Sequence, residues 1–456
     1  MINNILARSL FLLSVVLVGC GSVARAQDTK AGGPPVKARL VDLDYLAMAF
    51  VDGNVAGLDV YKHSSDRMIA DLAWAAYFRL RGDGQQAMAS SNECINYPVE
   101  SGLHEYFHVV CLWVRAGMER EAGENRDSYL SRKEGCEYLK SHQKSIASDI
   151  SRKITGRDDV MGEKVLGCER LGYFDSTLYL PKTSYSIDRN WSQIDIDHGF
   201  VTIAINGKKV KFLVDTGDSE ITINCKVNKE VCADMKAVGL RYTTDDFSQT
   251  YRSQDRVAKH VHFGPLDVYG AYLGTTDNAP STIGFSYLRR LGGFVLTQRY
   301  IRNQETIPDN ASQCTRLKYD YGAIEARQLR LKVDVETTVG NFKLWLDTGS
   351  TSGSNMPETT LFLYERSLAN HPLVRAGVFK RQSVTRTQHG SIVPLAVDFF
   401  HFSMNGSEQS QLTGLISPKQ DYLSEDSDGV LGGALTDQLS MWLDFRGRRV
   451  CFSRLR

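Results

Sequence analysis

The sequence has almost no excess of charge: 54 Lys and Arg stand against 53 Asp and Glu, a net of +1 over 456 residues. Without a basic surplus or a clustered basic face, nothing points to nucleic acid as a partner. No C-x-x-C pair occurs, which argues against zinc-ribbon and thioredoxin-type sites. Also missing are the G-x-S-x-G elbow, the phosphate-cradling P-loop and the Rossmann glycine fingerprint, so those hydrolase and nucleotide-binding classes drop out. Beyond the first residues no apolar run reaches the roughly 20 residues that a membrane-spanning helix takes. Proline is scarce, at 11 residues, whereas 38 Gly, 20 Tyr and 19 Phe suit a folded chain with much β-structure.

What is present begins with an export signal, assigned to residues 1–26. Arg8 supplies a weak positive region, and Leu10 to Val18 is an apolar stretch too short to span a bilayer. Two cleavage readings stand. Leu17-Val18-Gly19-Cys20 resembles a bacterial lipobox at every position, which would make Cys20 a lipid anchor. Ala24-Arg25-Ala26 fits ordinary signal-peptide cleavage. Either destination is the periplasm or beyond. Of nine cysteines, Cys20 aside, eight remain, an even number suited to disulfides in an oxidising compartment.

After a short linker around Gln27 to Pro35, helical spacing dominates. Met68 to Leu80 carries apolar residues at helical period and breaks at Gly82-Asp83-Gly84. Gln85 to Ile95, Leu103 to Met118 and about Ser128 to Ser145 continue the series. Helix pairs separated by Gly-containing turns resemble tetratricopeptide-type hairpins, with a poor consensus. This predicts a helical domain over residues 36–165.

From about Tyr185 the period changes to that of strands. Val201, Ile203 and Ile205 alternate with smaller residues, Asn206-Gly207 offers a type I′ turn, and the return strand ends at Asp215-Thr216-Gly217. Later, Leu331, Val333 and Val335 alternate, Gly340-Asn341 is the expected turn, and the next strand ends at Asp347-Thr348-Gly349. VKFLVDTG lies over FKLWLDTG with apolar residues in phase. The repeat continues: Thr282-Ile283-Gly284 in one half answers Val430-Leu431-Gly432 in the other. These features predict one lobe over residues 185–303 and a second over 314–456.

On these residues the chain resembles the retropepsin-like and pepsin-like aspartic peptidases, over roughly residues 190 to 456. The resemblance implies an α+β multidomain protein, with the helical domain preceding a mostly antiparallel, bilobal β domain. It implies that Asp215 and Asp347 are the catalytic pair, activating a water to hydrolyse a peptide bond without metal or organic cofactor. Two carboxyls held about 3 Å apart cannot both ionise, so one serves as base and the other as acid, for which this superfamily is the standard illustration. Gly217 and Gly349 would allow close backbone approach. Thr216 and Thr348 match residues whose hydroxyls tie the loops together in the family. The resemblance also implies a peptide or protein substrate held as an extended strand between the lobes. Flap candidates by position are Ser248 to Asp255 with Tyr251, and Arg386 to Ile392 with His389.

Two positions depart from the pattern. Thr282 stands where an apolar residue is usual. Asp218 follows the first D-T-G, where Ser or Ala is usual and where the second half has Ser350. A third carboxylate there would either raise the pair's pKa by repulsion or point into solvent.

One motif competes. His104-Glu105-Tyr106-Phe107-His108 is a complete H-E-x-x-H, which on a helix puts two imidazoles on one face with Glu105 as general base of a zinc peptidase. Against it, the helix follows no sheet, no further His arrives until His142, and Cys111 looks like a disulfide partner for Cys94. Two histidines on a partly buried amphipathic helix is the plainer reading. A third function class is a non-catalytic periplasmic module that binds partner proteins through the helical domain.

Overall fold

The computed structural model describes residues 55–100, 102–142, 144–145, 180–244, 250–277, 279–311, 313–320, 330–350, 360–364, 381–386, 392–404, 412–417 and 427–455. The expected signal over residues 1–26, with Cys20, lies outside them, as does His389. The chain divides into two compact units. A helical one falls within residues 1–172, and a β one holds residues 173–319 and 330–456.

The helical unit contains Val55–Tyr61, Arg67–Leu80, Gly84–Asn96, Gly102–Glu121 and Asn125–Ser141, each packed on its neighbour in sequence. Side-chain chemistry sets their ends. The Asp66 carboxylate accepts the Ile69 amide at 3.3 Å, and Asp83 accepts that of Gln86 at 3.1 Å, capping two helices whose first amides have no internal partner. Gly82 and Gly123, at φ of 80° and 83°, stop the helices before them. Apolar faces bury Leu72, Ala76, Phe107, Val110 and Val114. The expected Cys94–Cys111 disulfide pins Gly84–Asn96 to Gly102–Glu121, and Cys136 is also a half-cystine. Arg79 is buried in this layer, with its charge met by Glu121 at 2.6 Å.

In the β unit, period-two alternation becomes two equivalent hairpins. Phe200–Ile205 and Lys208–Val214 turn through Asn206-Gly207, whose φ values of 49° and 84° make the predicted type I′ turn. Val201, Ile203, Ile205, Val210, Phe212 and Val214 are all buried. Arg330–Thr337 and Gly340–Asp347 repeat the arrangement, burying Val333, Val335, Phe342, Leu344 and Leu346. The second turn differs from expectation. Gly340 and Asn341 already pair with Thr337 and Glu336, so Thr338-Val339 make the turn. The cause is a side chain: the Thr337 hydroxyl donates to the Gly340 carbonyl at 2.7 Å and accepts the Val339 amide at 3.2 Å, closing the turn two residues early.

Each hairpin belongs to an eight-stranded sheet. In the first, pairing runs through Phe200–Ile205, Lys208–Val214, Thr282–Ile283, Ile221–Asn224, Leu266–Thr276 and Thr250–Phe263. It returns to the start at Ala204↔His262 and Ile205↔Val261, a closed ring of six strands. The second sheet keeps the order Arg330–Thr337, Gly340–Asp347, Gly429–Gly432, Leu361–Tyr364, Leu412–Ser417, Ile392–Phe402. Among the described residues a single bridge, Thr337↔Met404, spans its ends. In both halves the strand before the D-T-G loop runs parallel to the Gly-ended segment, Val214 beside Ile283 and Leu346 beside Leu431.

A six-stranded sheet takes strands from both halves, in the order Gln313–Arg316, Arg449–Arg454, Leu439–Asp444, Gly293–Leu296, Tyr300–Asn303, Gln193–Asp195. At its middle Gly293 faces Asp444, Phe294 faces Leu443, Val295 faces Trp442 and Leu296 faces Met441. Trp442, 1% exposed, packs on Val295 and Cys451, and its indole N–H donates to the Gln304 carbonyl at 2.7 Å. Cys314–Cys451 bridges the outer pair of strands, and Cys225–Cys232 closes a short loop of the first half.

Candidate active site

Asp215 directly follows one parallel-paired strand and Asp347 ends its equivalent, so the fold brings two positions 132 residues apart together. Four hydrogen bonds cross between the loops. The Thr216 amide donates to the Thr348 hydroxyl oxygen at 3.0 Å, and the Thr348 amide donates to that of Thr216 at 3.0 Å. The Thr216 hydroxyl donates to the Leu346 carbonyl at 2.9 Å, and the Thr348 hydroxyl to the Val214 carbonyl at 2.8 Å. Both threonines are buried, so each hydroxyl satisfies an amide and a carbonyl that would otherwise lack a partner.

The glycines hold this approach open crosswise. A Cβ on Gly217 would lie 2.3 Å from Cγ of Asp347, and one on Gly349 would lie 2.1 Å from Cγ of Asp215. Each carboxylate thus occupies the space that a side chain on the opposite loop would need. Within its own loop, Oδ1 of Asp215 accepts the amides of Gly217 (2.9 Å) and Asp218 (3.0 Å), and Oδ1 of Asp347 accepts those of Gly349 (3.0 Å) and Ser350 (3.0 Å).

The two carboxyls also hydrogen-bond to each other, which needs a proton between them. Burial lifts Asp215 well above the ordinary 3.8, and the charges of Asp347 and then Asp218 push the same way. Asp347 keeps a little more contact with solvent. Burial raises it too, against the hydrogen bonds from Asp215 and from the Ser350 and Gly349 amides. The pair titrates as a unit, holding one proton into less acidic solution than a lone carboxyl would.

The two departures from the family pattern meet. The Thr282 hydroxyl donates to Oδ2 of Asp218 at 2.6 Å, the Thr222 hydroxyl reaches the same oxygen at 3.3 Å, and the Glu220 amide donates to Oδ1 at 3.1 Å. Asp218 therefore does not simply point into solvent. The equivalent residues of the other half, Ser350 and Val430, have neither the carboxylate nor the facing hydroxyl of this pair. Thr222 and the Glu220 amide were not singled out in the sequence, and no local signal marks them.

Tyr251 lies on the strand Thr250–Phe263 opposite Thr243, near the tip of a hairpin with Lys236–Thr244. The second flap candidate, Arg386 to Ile392, runs between the paired strands Arg381–Arg386 and Ile392–Phe402, and residues 387–391, with His389, lie outside the described residues.

His104, Glu105 and His108 all lie on the helix Gly102–Glu121 and go separate ways. Nε2 of His104 meets Asp66 at 2.8 Å, beside a helix cap. The His108 ring lies against Tyr138, 4.4 Å between centroids, and burial lowers its pKa. Glu105 accepts the Ser145 hydroxyl. Among the described residues no three His, Cys, Asp or Glu side chains gather as a metal site would require.

No family model matches the chain, and no curated protein matches it in sequence. A solved structure, that of a retropepsin-like aspartic protease from Rickettsia conorii, is similar over 27% of this chain and 94% of its own, with 19% identity and a TM-score of 0.19.

Proposed function

We propose that this chain is an exported aspartic endopeptidase in which Asp215 and Asp347 activate a water for attack on a peptide bond. The observation that carries the reading is the cross-bonded pair of D-T-G loops, which holds two hydrogen-bonded carboxyls where burial favours one shared proton. The ionised member takes a proton from water as its oxygen adds to the substrate carbonyl, while the protonated member hydrogen-bonds the carbonyl oxygen. Collapse of the tetrahedral adduct breaks the C–N bond, and the proton taken from water passes to the departing amine. The pair ends with one proton, ready for another cycle. Fixed geometry matters because the reacting water and both carboxyls must be aligned at once.

Export to the periplasm through residues 1–26, with Cys20 as lipid anchor, belongs to the same proposal. It is supported by the disulfides, which suit an oxidising compartment. The helical hairpins over residues 36–165, read as tetratricopeptide-like, would bind the substrate or a partner protein. The peptidase proposal is tested by cleavage of a mixed peptide library with purified mature protein, Asp215→Asn, Asp347→Asn, and added chelator. Either substitution should lower cleavage by about 10³-fold or more, with chelator inert. Cleavage that survives both substitutions and dies with chelator would move the chemistry to His104, Glu105 and His108. No cleavage in any sample would favour a protein-binding module.

A further inference from the structure

The two loops obey one symmetry in their backbone and break it in their charge. The Asp218 amide donates to Asp215 as the Ser350 amide does to Asp347. Likewise, the Phe285 amide donates to the Asp218 carbonyl at 2.9 Å, and the Gly433 amide to that of Ser350 at 2.9 Å. Superposed on this common frame, the first loop alone carries a second carboxylate, that of Asp218, held by the Thr282 and Thr222 hydroxyls and the Glu220 amide. Three donors favour the ionised form of such a group. Thr282 is buried, so its hydroxyl belongs to this contact rather than to solvent.

We propose that Asp218 is a positioning residue for the shared proton: its fixed negative charge makes the two carboxyls inequivalent, leaving the proton on Asp215 and making Asp347 the base that takes a proton from water. This rests on the peptidase reading for its catalytic meaning but not for its electrostatics. The direction of the pKa displacements agrees, since Asp218 adds to the rise of Asp215 ahead of the hydrogen bonds and ranks last among the influences on Asp347. The described elements around Asp218 include the loops 215–220 and 347–350, the strands Ile221–Asn224 and Thr282–Ile283, and the turn Phe285–Leu288. Their titratable groups are Asp215, Asp347, Glu220 and Tyr287, and Arg289 and Arg290 follow directly on the turn. Thr282, at the place of Val430 in the other half, supplies the hydroxyl that meets Asp218 Oδ2 at 2.6 Å.

The test is a pH titration of the mature protein labelled with carbon-13 at aspartate Cγ, with signals assigned through Asp215→Asn and Asp347→Asn. In Asp218→Asn, which keeps the shape and loses the charge, both apparent pKa values of the pair should fall by on the order of one pH unit, and the two signals should become more alike. The mirrored change, Ser350→Asp with Val430→Thr, should raise both and draw the proton toward Asp347. A pair whose titration is unmoved in a folded Asp218→Asn overturns the inference. Should that variant not fold, the mirrored double variant decides, and the absence of an upward movement overturns it. Peptide cleavage against pH is recorded on the same proteins. Moved titration without cleavage leaves the inference standing and fails the peptidase proposal, whereas cleavage with unmoved titration does the reverse.

Discussion

The two halves of the β unit share their strand order and their D-T-G loops, and they differ where no hydrogen bond of the common frame is at stake. The first sheet closes through a two-residue ladder at Ala204 and Ile205, whereas among the described residues one bridge at Thr337 spans the ends of the second. The first loop is acidic at Asp218, and the second is neutral at Ser350. By contrast the four bonds among Thr216, Thr348, Val214 and Leu346 match within 0.1 Å or so across the pair. The comparison teaches that backbone geometry at the loops is constrained equally from both sides, while charge beside them is free to differ.

Three pairs of substitutions sharpen or break that contrast. The largest effect belongs to the glycines. Gly217→Ala and Gly349→Ala each drive a methyl into the opposite carboxyl, and each should lower peptide cleavage by about 10²-fold or more, since displacement of about 1 Å has that cost. Equal losses fit an equivalent pair, and a loss in one alone would show that the halves are unequal in backbone as well as charge. Next come the threonines. Thr216→Val or Thr348→Val orphans a buried amide and a buried carbonyl, at about 1–3 kcal/mol each, so denaturant unfolding should show a loss of about 2–6 kcal/mol for either. Markedly different losses would contradict the symmetric bonding.

The smallest effect concerns stability against pH. Asp215 has its folded pKa raised above the 3.8 of an ordinary carboxyl. Its contribution to stability is therefore fully present below 3.8 and is lost as the pH rises through the folded value. Asp215→Asn removes that loss, so its melting temperature relative to wild type should be a few degrees higher near neutral pH than near pH 3. Asp347→Asn should show the same sign with a smaller amplitude. Relative melting temperatures that do not change with pH would mean that the carboxyls are not strained by burial.

Much of this was legible in the chain itself, because the signals were local. Asn206-Gly207 announces its own turn, and in-phase apolar residues mark both strands that lead to Asp215 and Asp347. Thr338-Val339 escaped notice because a Thr hydroxyl, not a glycine, closes that turn. Asp218 and Thr282 were each visible as oddities, but 64 residues separate them and only folding shows that they are two ends of one bond. The pairing of Val295 with Trp442 was hidden for the same reason, as was His104 turning to Asp66. Sequence period reports which face of a strand is buried, and it is silent about which distant strand lies alongside.

The seam of the six-stranded sheet has a consequence for inheritance. Gly293–Leu296 and Met441–Asp444 are equivalent strands, and they pair so that each end of one meets the opposite end of the other, the self-complementary contact of a twofold dimer. A homodimer built on such a seam receives every substitution twice, once on each side of its axis. Here the two sides are written separately in a single gene, so a codon change reaches one carboxyl's neighbourhood and spares the other's. An acidic residue entering twice would set two like charges beside the carboxyl pair; entering once, it leaves a polarity that selection can keep.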